Sequence, residues 1–193
     1  MQRPARRLTR LSLAALAAVT PLTLMVAGPA AATVTSTTVT VPASTQGGVA
    51  TGITAGLGDK LVFTAGGSAG YGYEGAAPCV GYPTTHPDGS RYIGSASCGA
   101  KDDPNAALSG AAIGLLIARV GSSGWYAVGT SDTMTAPAAG EVYLAYNDVA
   151  GLYGDNTGSY SATVSDQGAP PPPPPGPPPG PPPGPPCGRS CIQ

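Results

Sequence analysis

The stretch EVYLAYNDVAGLYGDNTGSYSATV, residues 141–164, decides the fold. Its two ends are short runs rich in β-branched and aromatic residues, as strands are. Between them, Asp148, Asp155 and Asn156 crowd into one short loop, although only 10% of the chain is charged. Working outward, TVTSTTVTV, KLVFTA, IGLLIARV and WYAVG are further short runs of the same kind, separated by Gly and Pro clusters. No window of a dozen residues carries a helical period; the nearest, residues 105–116, holds two glycines. The expected fold is all-β, an antiparallel β-sandwich or jelly roll. EVYLAYN and GSYSATV are expected to pair as a hairpin. Residues 66–108 carry little strand signal and are expected to form a long loop region, the part of such scaffolds that commonly carries function.

The ends of the chain have a different character. Residues 1–32 combine Arg3, Arg6, Arg7 and Arg10 with an apolar stretch interrupted by Pro21 and then Ala30-Ala31-Ala32. That is the layout of a cleaved secretory signal. It is too short and too broken for a membrane span, which needs about 20 apolar residues. Residues 33–167 are then one domain in size. Residues 168–193 begin with a proline-rich run that cannot donate backbone hydrogen bonds. It is expected to be an extended polyproline spacer ending in Cys187 and Cys191.

Without the first 32 residues, five basic side chains (Lys60, Arg91, Lys101, Arg119 and Arg189) face ten acidic ones, a net charge of −5. Nucleic acid is an unsuitable partner for such a chain, because its binding rests on basic groups neutralising phosphates. An anionic membrane surface is unsuitable for the same reason. Four cysteines in an exported chain suggest two disulfides, in one of three pairings. Cys79–Cys98, flanking the loop region, with Cys187–Cys191 at the end, is the favoured one.

Two patterns imitate catalytic motifs. GGSAG, residues 66–70, matches G-x-S-x-G, but YGYEGAAP follows it instead of a helix. GYGYEG, residues 70–75, matches G-x-G-x-x-G with no βαβ unit around it. His86 is the single histidine, and no paired Cys/His spacing for structural zinc exists. The chain reads as a non-enzyme.

The oxygen cluster at 148–156 admits two readings. Asp, Asn and Gly are turn residues and suit any tight loop. Two carboxylates, an amide oxygen and nearby carbonyls also suit calcium, which takes 6–8 oxygen ligands. The D-x-D-x-D-G pattern of a self-sufficient calcium loop is missing.

Asn147-Asp148-Val149, Gly151, Tyr153-Gly154, Asn156 and Gly158-Ser159 closely resemble the calcium loop of bacterial galactophilic lectins of PA-I type. Gly58-Asp59 followed by LVFTAGGSAGYG, then His86-Pro87-Asp88 and GLLIARVG, are similar to that family in the same order, from about Gly48 to Ser165. The resemblance implies a small β-sandwich that holds one calcium and bridges it to galactose. Its calcium ligands would be the carbonyls of Tyr71 and Leu152 with side-chain oxygens of Asp148, Asp155 and Asn156. His86, Gly89, Asp148, Val149, Leu152 and Asp155 would stand at the sugar. The resemblance also implies homo-oligomers.

The chain departs from the family at several positions. Asp155 replaces an Asn, Leu152 a Thr, and Gly89 stands where a Gln contacts sugar. Ser68 stands where the family has an aromatic, and residues 95–109 look like an insertion. The leading expectation is a secreted, calcium-dependent binder of galactose-type glycans. The competing classes are an adhesive protein of the cell envelope, with the proline run spanning the wall, and, less favoured, a glycan-active enzyme, whose two carboxylates would have to be Asp148 and Asp155, already assigned to the metal.

Overall fold

The computed structural model describes residues 34–171 and 173. The proposed export segment, most of the proline run, and Cys187 and Cys191 lie outside the described residues. In chain order the strands are β1 (Thr35–Pro42), β2 (Val49–Ala55), β3 (Lys60–Gly70), β4 (Glu74–Ala76), β5 (Cys79–Gly81), β6 (Thr84–Thr85), β7 (Arg91–Ile93) and β8 (Ala96–Ser97). They continue as β9 (Asp102–Asp103), β10 (Ala111–Ala112), β11 (Leu116–Val120), β12 (Tyr126–Ala127), β13 (Ser131–Thr135), β14 (Gly140–Tyr146) and β15 (Thr157–Asp166). One 3₁₀ turn, Tyr153–Asp155, interrupts the last connection. No helix among the described residues is long and apolar enough to cross a membrane.

Two antiparallel sheets face each other, one in the order β1-β15-β3-β6-β7-β8 with β13 also on β3, the other in the order β12-β11-β14-β2. Two further hairpins, β4-β5 and β9-β10, stand outside both. β15 alternates as its sequence suggests, with Tyr160, Ala162 and Val164 buried. These pack with Val41, Leu61 and Phe63 of their own sheet against Ile53, Leu116, Val120, Val142, Leu144 and Tyr146 of the other. Burying each large apolar side chain stabilises the fold by roughly 1.5–3 kcal/mol, so the two inner faces hold the sheets together.

The expected hairpin between residues 141–147 and 158–164 does not form. β14 pairs with β11 and β2, whereas β15 pairs with β1 and β3 in the opposite sheet. The intervening turn crosses the edge of the sandwich. Across that edge the Tyr146 and Tyr160 rings stack at 5.8 Å. Tyr160 also donates to the Gly114 carbonyl at 2.7 Å, and the Thr85 hydroxyl sits 2.8 Å from the Tyr160 hydroxyl and 3.3 Å from that of Tyr146. Burial pushes both phenols above their ordinary range.

The region 66–108 is more ordered than expected. β3 runs through the glycines to Gly70, and at Gly70 a close neighbour leaves no room for a side chain: a Cβ there would lie 2.8 Å from the Pro83 carbonyl. The helix-like window 105–116 instead holds β10 and the turns beside it. The Cys79–Cys98 disulfide is present, with Cα atoms 5.5 Å apart.

Candidate functional site

The turn at 147–156 is held from both sides. Asn147 is fully buried and acts as a clamp. Its Nδ2 donates to the Ala112 carbonyl at 3.0 Å, and its Oδ1 accepts from the Leu108 N–H at 2.8 Å. Its backbone joins Gly114 and Leu115. A bridge between Ala106 and Val149 adds to this seam. Beneath the turn, the buried Tyr153 hydroxyl donates to the carbonyls of Tyr146 and Asp148 at 3.1 and 3.3 Å.

Asp148 is itself buried. Its Oδ1 accepts from the Val149 N–H at 2.7 Å and its Oδ2 from Asn156 Nδ2 at 2.7 Å. Asn156 also donates to the Ala43 carbonyl at 3.0 Å. Its Oδ1 is buried with no hydrogen-bond partner. Leaving such an acceptor dry costs about 1–3 kcal/mol, so the atom marks a place where another group is wanted. Asp155 follows on the exposed side of the turn, its carboxylate against Gly72, where a Cβ would collide with Oδ2.

A cavity of about 140 Å³ opens between this turn and the end of β3. Tyr71, Gly72, Asp148, Val149, Leu152 and Asp155 line it, and Asn156 adjoins it through Asp148. Four of the five expected ligand residues thus line one cavity, and the fifth, Asn156, is bonded to one of them. No cluster of three or more Cys, His, Asp or Glu side chains occurs among the described residues, so a metal here must also draw on amide and carbonyl oxygens. Calcium accepts such ligands, and the orphaned Asn156 Oδ1 and the two carboxylates fit it.

The second wall differs from expectation. Neither His86 nor Gly89 lines this cavity. His86 lies with Nδ1 3.3 Å from the Gly67 carbonyl and its ring edge-on to Tyr92. Gly89, at φ +78°, closes a tight turn against Ala112. Lys101, Asp103 and Ile113, on and beside the β9–β10 hairpin, take the place expected of them, together with Tyr73 and Glu74. Lys101 and Asp103 fall inside the segment that reads as an insertion, and their only sequence signal is charge beside a disulfide.

These side chains form one network. Arg91 is buried and donates to Glu74 Oε2 at 2.7 Å and to the Tyr71 hydroxyl at 2.6 Å. Its Nε–H reaches the Gly99 carbonyl at 2.9 Å. Lys101 donates to Glu74 Oε1 at 2.6 Å and lies over the Tyr71 ring. Burial works to raise the Glu74 carboxyl, but donors from Lys101, Tyr71 and Arg91 outweigh it and hold it below its ordinary value. Burial pushes the Tyr71 phenol up to about 12 against the pull of Arg91.

Residues 37–168 match the family model described as PA-IL-like protein. A solved structure described as "EclA N-terminal domain; PllA-like lectin" superposes with a TM-score of 0.50 at 26% identity. The match covers 67% of this chain and 95% of that one.

Proposed function

The chain belongs to the PA-IL-like protein family, and from that premise we propose that it is an exported, calcium-dependent lectin for galactose-type glycans. The observation that carries the reading is the convergence of Asp148, Asp155, Tyr71 and Leu152 on one cavity, beside the unpartnered Asn156 Oδ1. Side-chain oxygens of Asp148, Asp155 and Asn156 and the carbonyls of Tyr71 and Leu152 would hold the ion. When bound, the ion supplies coordination positions for two neighbouring sugar hydroxyls, so hydroxyl stereochemistry decides which sugar fits.

The chain's own residues do the rest. Leu152, 56% exposed on the rim, and Val149 beside it offer apolar contact to the C–H face of a pyranose. The Asp155 carboxylate accepts from a sugar hydroxyl but cannot donate, which sets this site apart from one with Asn there. Both Asp148 oxygens are engaged by Val149 and Asn156, which supports holding over acid–base chemistry. A single shallow site binds weakly, so several sites on a homo-oligomer would supply avidity.

A glycan array probed with calcium and again with chelator tests the proposal. Binding to terminal galactosides that disappears with chelator supports it. Equal signals in both conditions overturn it.

A further inference from the structure

We propose that the β4–β5 hairpin forms a second saccharide subsite next to the cation cavity, where the Tyr73 ring receives the neighbouring pyranose. The proposal rests on the lectin reading and adds to it the length of the preferred ligand, a disaccharide or longer.

The cavity continues into an open groove of about 410 Å³ along the hairpin. Tyr73, Glu74 and Lys101 line both, so a ligand seated at Asp148 leads directly into the groove. Tyr73 and Tyr82 flank the open end of the hairpin, beyond the Glu74–Gly81 pair. They are 60% and 75% exposed, yet their rings pack edge to face at 5.4 Å. Val80 of the same hairpin is exposed too, and Leu152 stands exposed on the cavity. Single exposed apolar side chains need no explanation. An exposed ring that lines a polar cavity and is braced from outside it by a second ring is a different matter. A pyranose has an apolar C–H face and a rim of hydroxyls. Tyr73 suits the face, and the half-exposed Lys101 ammonium and Glu74 suit the rim.

The hairpin is also fixed before any ligand arrives. The Cys79–Cys98 disulfide ties β5 to the following loop. The Glu74–Arg91 ion pair ties β4 to β7. Arg91 also holds the Gly99 carbonyl next to Cys98. A platform rigid in the free protein spares a ligand the cost of ordering it.

Calorimetry on the calcium-loaded protein tests the subsite, with D-galactose and the α1-3, α1-4, β1-3 and β1-4 galactosyl disaccharides as probes. At least one disaccharide is expected to bind roughly three- to tenfold tighter than D-galactose, the range of one aromatic contact. Tyr73→Ala is expected to bring that ratio close to one, and Tyr73→Phe to retain it. Should Tyr73→Ala not fold, Tyr82→Ala, which unpacks the Tyr73 ring, must lower the same ratio. Disaccharides no tighter than galactose, or an unchanged ratio in the alanine variants, overturn the subsite alone. Loss of all calcium-dependent sugar binding in the wild type overturns the lectin reading and the subsite together.

Discussion

Asn156 donates from Nδ2 to Asp148 Oδ2 at 2.7 Å while its own Oδ1 stays buried and unpartnered. The amide therefore spans two tasks. One end closes the turn onto Asp148 and Ala43, and the other is the free acceptor that the proposed cation would take as a ligand.

Replacing this residue should separate the two tasks. Asn156→Ala removes two buried donors and leaves the Ala43 carbonyl dry, at a cost of about 1–3 kcal/mol in chemical denaturation. Calcium at a hundredfold excess over its dissociation constant stabilises a native site by about 2.7 kcal/mol. The wild type should show that increment and Asn156→Ala should lose most of it. An undiminished calcium increment in the variant would place the ion elsewhere.

Gly72→Ala tests the position of Asp155. Its Cβ would occupy the space of Asp155 Oδ2, so the carboxylate must swing away while the sheets stay as they are. Calcium affinity should fall by about 10- to 100-fold, as it does when the support of a metal ligand is disturbed. The calcium-free melting temperature should stay close to that of the wild type. Affinity unchanged by calorimetry would show that Asp155 is no ligand.

Glu74 makes the acid limb of stability partly its own. Its folded pKa is depressed below the ordinary 4.5. A depressed carboxyl contributes stability above its unfolded pKa and loses it as pH falls through the folded value. Glu74→Gln, which leaves Arg91 without its anionic partner, should cost about 1.5–3 kcal/mol at pH 7, the range for a hydrogen bond to a charged group. The gap to the wild type should narrow steadily below pH 4.5. A gap that stays constant from pH 7 to pH 3 would remove Glu74 from this role.

Much of the sandwich is legible in the strands themselves. SYSATV alternates, and β15 buries Tyr160, Ala162 and Val164 as the pattern demands. The partner of each strand is not legible, because a connection from 147 to 156 serves a hairpin or a crossover equally well. The pairing of β14 with β11 and β2, and of β15 with β1 and β3, makes it a crossover, and Tyr146 stacks on Tyr160 where the chain passes between the sheets. The glycines of β3 hide a strand for a similar reason. Gly67 is wanted because a Cβ there would stand 3.1 Å from the Ser159 carbonyl, a neighbour 92 residues away in sequence. At the site, the oxygen cluster at 148–156 was visible from residue type and spacing. Lys101 and Asp103 were not, because they sit in a segment without strand periodicity that long-range contacts, among them the disulfide, the Asn147 clamp and the Lys101–Glu74 ion pair, bring to the cavity. His86 enters as a sugar contact through the resemblance of His86-Pro87-Asp88, whereas the structure sets it against Gly67 and Tyr92 and outside the lining of this cavity.

The most direct test is a crystal structure grown with excess calcium and D-galactose, read by anomalous scattering. One peak per chain is expected in the cavity between Tyr71 and the 147–156 turn. Oxygens of Asp148, Asp155, Asn156, Tyr71 and Leu152 and two sugar hydroxyls should lie about 2.3–2.6 Å from it. Galactose bound with no ion in that cavity, or an ion whose ligands exclude Asp148 and Asn156, would contradict it.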